Sequence, residues 1–568
     1  MIRTRSRAKW FLGFLLLVSL TSFLAADEKT DKVDKIFAPW DTTTTPGAAL
    51  AVIKDGQIIY ERGYGMAKIE DGIVMTPQKI FDIGSTSKQF TAACLAILIR
   101  QGKVRLDDDI RKYFPEMRLY ERPILVKHLI SHTSGLRDYN GLLELAGFRT
   151  ESDCPNVDEA LDVIFKQKRL NYAPGDEFSY TNTGYFLMGQ IVERVSGKSL
   201  NEFAQENIFK PLGMTHTLYQ EDHTQVIKNR ATGYDPSDKG YKINMSNWDE
   251  TGDGNVYTSV EDLYLWDQAF YSHKLGKDFM DTLHTTGALN NGKKLEYAYG
   301  LFIHEYKELK VVEHGGAWAG FRSGFVRFPE QKFSVICLTN LGTQNPDALC
   351  YQVADIYLAD LIKERPKEEG RKAEPIALSK QELEEKAGNY QDQRFGIWLS
   401  VSLKQEKLTL ELMGLELALA PMSKTVFKAL DAPAEISIEF LADAKGKLTG
   451  ASITVAGDER YNLVKAAPLA PLTPAQLKEY AGDYVSEELL NAKYRFIVEK
   501  DNLILKFRSA PPGAFKAMAT DKFTQGMLNV DFVRKGNKIT GFTLNVGRVA
   551  GIEFVRKEMA ESGKSRPG

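Results

Sequence analysis

Asp82-Ile83-Gly84-Ser85-Thr86-Ser87-Lys88-Gln89-Phe90 opens the segment on which the reading of this chain turns. From Ser85 to Arg100 the apolar residues Phe90, Ala93, Cys94 and Ile97 recur at three- and four-residue steps, which predicts a helix. Positions three apart share a helix face, so Lys88 is expected beside the Ser85 hydroxyl. A serine hydroxyl becomes a nucleophile when a nearby base takes its proton. A helix start also favours the negative charge that develops in acyl transfer. Alone the signal is weak. The same Ser-x-x-Lys spacing occurs at Ser6 to Lys9, and an N-capping serine followed by a solvated lysine explains either copy.

Two further stretches change the balance, and they follow in order. Phe178-Ser179-Tyr180-Thr181-Asn182 supplies a Tyr-x-Asn. A phenol beside an ammonium group can serve as a base, and an asparagine amide can bond both an amine and a substrate amide. An aromatic core residue and a turn asparagine after Pro174-Gly175 are the plain alternative. His314-Gly315-Gly316 is the one His-x-Gly among the eight histidines. Its glycines are expected to let a substrate backbone lie against a strand. The Ala317 amide is the expected partner of the Ser85 amide in an oxyanion hole. A hairpin turn with a surface histidine is the alternative here.

Working outward, Gly47 to Met66 reads as a hairpin turning at Asp55-Gly56. A second hairpin is read at Phe321 to Phe328 and Phe333 to Asn340, turning at Pro329-Glu330. Leu349, Val353, Ile356, Tyr357 and Leu361 mark an amphipathic helix. Strands at both ends with helices between predict an α/β (α+β) domain whose central antiparallel sheet joins the two ends and is flanked by helices. Residues 27–362 form that domain in this reading, and the charged stretch 363–375, with Pro366, Gly370 and Pro375, is a linker. An internal repeat follows. Leu378-Ser379-Lys380-Gln381-Glu382-Leu383, leading to Ala387-Gly388-Asn389-Tyr390, returns as Leu472-Thr473-Pro474-Ala475-Gln476-Leu477, leading to Ala481-Gly482-Asp483-Tyr484. Two copies, at 376–467 and 468–560, predict two small antiparallel β-barrel-like domains, with a tail at 561–568.

The chain has 568 residues, 43% hydrophobic and 26% charged, with a formal charge of -2, which gives no reason to expect nucleic acid or an anionic membrane as partner. Residues 1–26 read as a secretory signal peptide: Arg3, Arg5, Arg7 and Lys9, an apolar run from Trp10 to Leu24, then Ala25-Ala26. That run, about 15 residues, is shorter than the roughly 20 a membrane span needs, so no stable span is expected after its removal and the mature protein is expected in the periplasm or secreted. Cys94, Cys154, Cys337 and Cys350 show no CxxC spacing and indicate neither a disulfide framework nor a zinc site. His304-Glu305 lacks a second histidine at zinc spacing, so no metal is implied, and no cofactor is implied either.

From about Asp31 to Leu361 the chain resembles the penicillin-recognising serine hydrolases, the class C β-lactamase, D-alanyl-D-alanine-carboxypeptidase and D-aminopeptidase group. The matching pieces, in the family's order, are Asp82 to Phe90, Leu129-Ile130-Ser131-His132-Thr133-Ser134-Gly135-Leu136, Tyr180-Thr181-Asn182, Thr258 to Leu263 and His314-Gly315-Gly316. The resemblance implies Ser85 as the acylated nucleophile, Lys88 and Tyr180 as proton shuttles, and Asn182 as a positioning group; with Asn182, the strand residues His314, Gly316 and Ala317 are the candidate substrate-binding groups. Which of Lys88 and Tyr180 is the base stays open. His132 to Gly135 is expected to be a structural loop. β-Lactamases of this family usually carry Lys-Thr-Gly where this chain has His314-Gly315-Gly316. A mostly neutral histidine suits a substrate carboxylate less well than a lysine. His-x-Gly is similar to what D-aminopeptidases and some esterases of this family carry, and the two C-terminal β-domains are similar to the D-aminopeptidase architecture, in which a loop of the last domain can reach the active site. Arg508 to Gly513 is a candidate for that loop, or a plain surface loop. The expected activity is cleavage of a small peptide, amide or ester, with cell-wall fragments one candidate source, by a D-aminopeptidase or D,D-peptidase type of enzyme. The alternatives are a broad esterase or β-lactamase of the same family, or a degenerate hydrolase that binds or senses cell wall.

Overall fold

The computed structural model describes residues 28–362 except 151, and 375–557 except 393, 395, 413–414, 433–435, 456–458 and 509–512. The segments read from sequence as a signal peptide (1–26) and a tail (561–568), and nearly all of the one read as a linker (363–375), lie outside the described residues. Among those described, no helix is long and apolar enough to cross a membrane.

Six strands build the central sheet: β1 (Ala48–Lys54), β2 (Gln57–Tyr64), β3 (Phe302–Tyr306), β4 (Leu309–Trp318), β5 (Phe321–Phe328) and β6 (Phe333–Thr339). Their order is β3-β4-β5-β6-β1-β2, with every pairing antiparallel. Ala48 lies opposite Thr339, so the two ends of the domain meet at the sheet centre. Asp55 and Gly56 both take positive φ, 50° and 81°, the conformation a two-residue hairpin turn needs to match strand twist.

Between the sheet ends run α1 (Lys88–Arg100), which packs on α2 (Asn182–Ser196). Both are helices of the domain interior, and Lys88 to Leu98 is buried throughout. Ser85 itself sits just before α1, in the single 3-10 turn Gly84–Ser87, rather than within the α-helix expected from Ser85 onward. Gly84 has φ +48°, and a side chain there would fall 2.7 Å from the Ala317 nitrogen, so glycine is required where this turn meets β4. On the other sheet face, α3 (Pro346–Tyr357) packs against β5 and β6. The chain leaves the helix at Leu358, which is buried, and Leu361, expected on its apolar stripe, is half exposed beyond its end.

The repeat forms two closed barrels of eight antiparallel strands, Gly388–Asp392 through Glu459–Lys465 and Gly482–Ser486 through Val549–Arg556. Equivalent residues do equivalent work. Ser379 with Glu382 and Thr473 with Gln476 form capping boxes on the short entry helices. Tyr390 donates to the Lys386 carbonyl at 2.6 Å, and Tyr484 to the Tyr480 carbonyl at 2.8 Å. The barrels differ in their company. Core residues of the second barrel are continuous with the core of the first domain, whereas the first barrel has its own. Arg137 and Glu488, each with 1% of its side chain exposed, pair at 2.7 Å between the first domain and the second barrel.

Candidate active site

Ser85, Tyr180, Asn182, His314, Gly316 and Ala317 line one open cavity of about 1270 Å³. Lys88 lies beneath it, fully buried. The Lys88 Nζ donates to Ser85 Oγ at 3.0 Å, to Asn182 Oδ1 at 2.9 Å and to the Asp253 carbonyl at 2.6 Å. Three acceptors match the three protons of an ammonium group, which fixes a side chain that would otherwise be free to rotate. Asn182 is the first residue of α2, and its amide donates to Asp138 Oδ2 at 2.8 Å, so the helix start aims its side chain at Lys88.

Tyr180 stands 5.1 Å from Lys88 Nζ, measured to its ring centroid. Its hydroxyl is buried and has no hydrogen-bond partner among the described residues, so it bonds neither Ser85 nor Lys88. The ring is held from behind by His132, 4.2 Å away between centroids, and His132 Nδ1 accepts from the Thr181 amide at 3.2 Å. Burial, with the Lys88 charge second, holds His132 well below the usual imidazole range, so it is a neutral wedge. Above the ring lies Arg548 of the second barrel. Its guanidinium carbon is 5.5 Å from the ring centroid, and it donates to the Tyr180 carbonyl at 3.4 Å and to Asp138 at 3.3 Å.

His314 is buried rather than on the surface. Its Nδ1 meets the Gly315 carbonyl at 2.6 Å and its Nε2 meets the Tyr297 hydroxyl at 3.1 Å. A carbonyl only accepts, so Nδ1 carries the proton and Nε2 accepts from the phenol. Burial, and then the Lys88 charge, push this histidine down to about 3. It is therefore uncharged at neutral pH, with both nitrogens engaged inside the protein. The two glycines after it also differ from expectation. A side chain on Gly316 would strike the Ile83 carbonyl and Ser323, and one on Gly315 would strike the Asp347 carboxylate. Their small size makes room for protein groups, not for a substrate backbone. Thr86 ties the serine turn to the same strand, donating to the His314 carbonyl at 3.0 Å.

A smaller recess beside Ser85 is lined by Asn182, Trp248, Glu250, Asp253, Ala317 and Trp318 among others. Burial pushes Glu250 up to about 8 and Asp253 up to about 6. The last barrel reaches the cavity through Val546 to Val549 and Gln525 to Leu528, together with Tyr494 and Leu505. Phe507 reaches it too, but Arg508 turns away to pair with Asp153 at 3.5 Å, and most of the candidate loop Arg508 to Gly513 lies outside the described residues. The sequence reading missed Arg548, Asp253, Tyr297 and Asp347, which carry no local pattern. The structure also brings together Cys154, His223 and Asp249, a grouping with no local pattern in the sequence. They are far apart in sequence, yet their ligand atoms lie within 4.8 Å of one another near the surface, a set of donor types that suits zinc.

Comparison with known proteins agrees with this architecture. The beta-lactamase family model matches residues 33–355. Penicillin-binding protein 4* of Bacillus subtilis is 28% identical over 416 residues, 69% of this chain and 90% of that protein. A D-aminopeptidase of Gluconobacter oxydans is 30% identical over 297 residues, 52% of this chain. The match spans little more than half of that enzyme's length, 56%. In fold, the octameric penicillin-binding protein homologue from Pyrococcus abyssi superposes with a TM-score of 0.53 at 24% identity, covering 79% of this chain and 100% of that one. The serine turn, the buried lysine, the antiparallel sheet and the family match lead to one conclusion: this chain belongs to the beta-lactamase family of serine hydrolases.

Proposed function

We propose that the chain is an exported serine hydrolase that cleaves amide bonds through an acyl-enzyme on Ser85, of D-aminopeptidase or D,D-peptidase type. The observation that carries this reading is the 3.0 Å bond between Lys88 Nζ and Ser85 Oγ, in a lysine pinned on its other two protons. In this mechanism the Lys88–Tyr180 pair reacts one proton short, as amine with phenol or ammonium with phenolate, and the Ser85 proton fills that place while the Ser85 oxygen forms a bond to the substrate carbonyl carbon. The oxyanion is stabilised by the amides of Ser85 and Ala317, which the Gly84–Ala317 approach supports. The carbon–nitrogen bond then breaks, and the leaving amine takes a proton from Tyr180. Water attacks the ester, the same pair moves its proton, and the acid and free Ser85 are released. Tyr180 suits the leaving-group side because its hydroxyl is unpartnered and its ring lines the cavity.

Amides are favoured over cephalosporins because the neutral His314 stands where β-lactamases carry a lysine. Export rests on the basic and apolar pattern of residues 1–26. The test is a substrate panel on protein lacking residues 1–26: D-amino-acid amides, D-Ala-D-Ala peptides, short acyl esters and a chromogenic cephalosporin. Turnover of D-configured amides above the cephalosporin is expected. Cephalosporin as the dominant substrate contradicts the proposal.

A further inference from the structure

Helix α3 begins beside Gly315, with Asn345 as its cap, accepting from the Ala348 amide at 3.1 Å. Flanking that cap are Gln344 and Asp347, and both line the cavity that holds Ser85 and Tyr180. Gln344 is 7% exposed, and neither its amide nitrogen nor its amide oxygen has a hydrogen-bond partner among the described residues. Asp347 Oδ1 is buried and equally unpartnered there. Burying such groups unpaired is unfavourable, so two of them together in a cleft point to a ligand that pairs them.

Which part of the substrate they meet follows from the proton path, and to that extent the inference rests on the acyl-enzyme reading above. The leaving group has to lie within proton-transfer reach of Tyr180. Tyr180, His314, Gly315 and Asp347 line the large cavity, whereas the small recess beyond Ser85 is lined by neither Tyr180 nor His314. The acyl portion therefore takes the recess, and the leaving group takes the side where Asp347 presses against Gly315. We infer that Asp347 and Gln344 form the leaving-group subsite and select leaving groups that present N–H donors, carboxamides and amines, over those that end in a carboxylate.

The charges agree. The charged neighbour that acts on Asp347 is another acid, Glu313, and burial together with Glu313 raises the Asp347 carboxyl to about 7. His314 is neutral. Arg322 is turned to the Ala319 and Phe321 carbonyls, and Arg548 to Asp138 and Tyr180. A leaving-group carboxylate would meet a carboxyl with no cation bound to it, while an amide or ammonium would donate to Asp347 and Gln344 Oε1.

The test uses two dipeptides with one acyl group, D-alanyl-D-alaninamide and D-alanyl-D-alanine, with wild type, Asp347→Asn and Gln344→Ala. At pH 8.5, where the Asp347 carboxyl is ionised, wild type is expected to favour the amide in kcat/KM by about tenfold or more, as like-charge rejection requires. Asp347→Asn is expected to cut that preference about fivefold, through faster cleavage of the free acid. Gln344→Ala is expected to lower kcat/KM for the amide more than for the acid. Equal cleavage of both dipeptides by wild type, or an equal effect of Asp347→Asn on both, overturns the inference. If neither dipeptide turns over, the readout is protection of Ser85 against a fluorophosphonate. Protection by D-alaninamide and not by D-alanine supports the subsite, and equal or no protection by the two overturns it. Folded wild type that takes no label at Ser85 contradicts the acyl-enzyme reading itself, a failure separate from loss of discrimination in an enzyme that labels.

Discussion

The bare Cα of Gly315 lies against the carboxylate of Asp347, so the second position of the His-Gly-Gly strand segment and the first turn of α3 constrain each other. A threonine at 315 needs the space that Asp347 occupies. Gly315→Thr is expected to destabilise the protein by about 1–3 kcal/mol through overpacking. The double variant Gly315→Thr with Asp347→Ala is expected to recover most of that loss. Chemical denaturation of the two single variants and the double measures the coupling. Additive effects would show that the two side chains do not compete for one space.

The buried pair Arg137–Glu488 fastens the second barrel to the catalytic domain. Glu488 also accepts from the Lys168 amide at 2.8 Å and the Glu553 amide at 3.1 Å, and Arg137 donates to the Ala550 and Gly551 carbonyls. Removing one charge leaves the other buried and uncompensated. Glu488→Gln is therefore expected to cost about 3–5 kcal/mol in denaturation. It is also expected to lower amidase activity, because Arg548 over Tyr180 belongs to the same barrel. A variant as stable and as active as wild type would show that this contact holds neither the barrel nor the cavity.

His284 stacks on Phe270 with ring centroids 4.8 Å apart, and burial, then Arg327, push it from 6.5 down to about 3. The folded state thus binds a proton less readily than the unfolded state. Its contribution is fully present above pH 6.5 and is lost as pH falls toward 3. His284→Phe keeps the stacking and removes the proton. Between pH 6.5 and 4 the stability of wild type is expected to fall relative to the variant by about 1.4 kcal/mol per pH unit. Parallel stability curves for the two proteins across that range would contradict the buried neutral histidine.

Local chemistry made much of the site legible. Ser85 and Lys88 are three residues apart, and the interval alone brings them together. Asp55-Gly56 announces its hairpin, and the Ser379 and Thr473 capping boxes announce the repeat. Tyr180 was legible as a resemblance, but not its hydroxyl, which lacks a partner that spacing could not have foretold. Asp347 and Arg548 were not legible at all. Each reaches the cavity because a distant element packs there, one at the start of a helix across the sheet, the other in a turn of the last barrel. A periodic pattern records which face is buried and not which neighbour buries it. For the same reason nothing in the sequence singles out the turn at Gly547-Arg548 beside the more conspicuous Pro/Gly cluster at Arg508 to Gly513.

The most direct test of the account is intact-mass and peptide-mapped labelling with a fluorophosphonate on wild type, Ser85→Ala and Lys88→Ala. One adduct per chain at Ser85 is expected in wild type, none in Ser85→Ala, and labelling slowed by about a hundredfold or more in Lys88→Ala, as loss of a proton-transfer partner requires. An adduct that persists in Ser85→Ala, or labelling indifferent to Lys88, would contradict it.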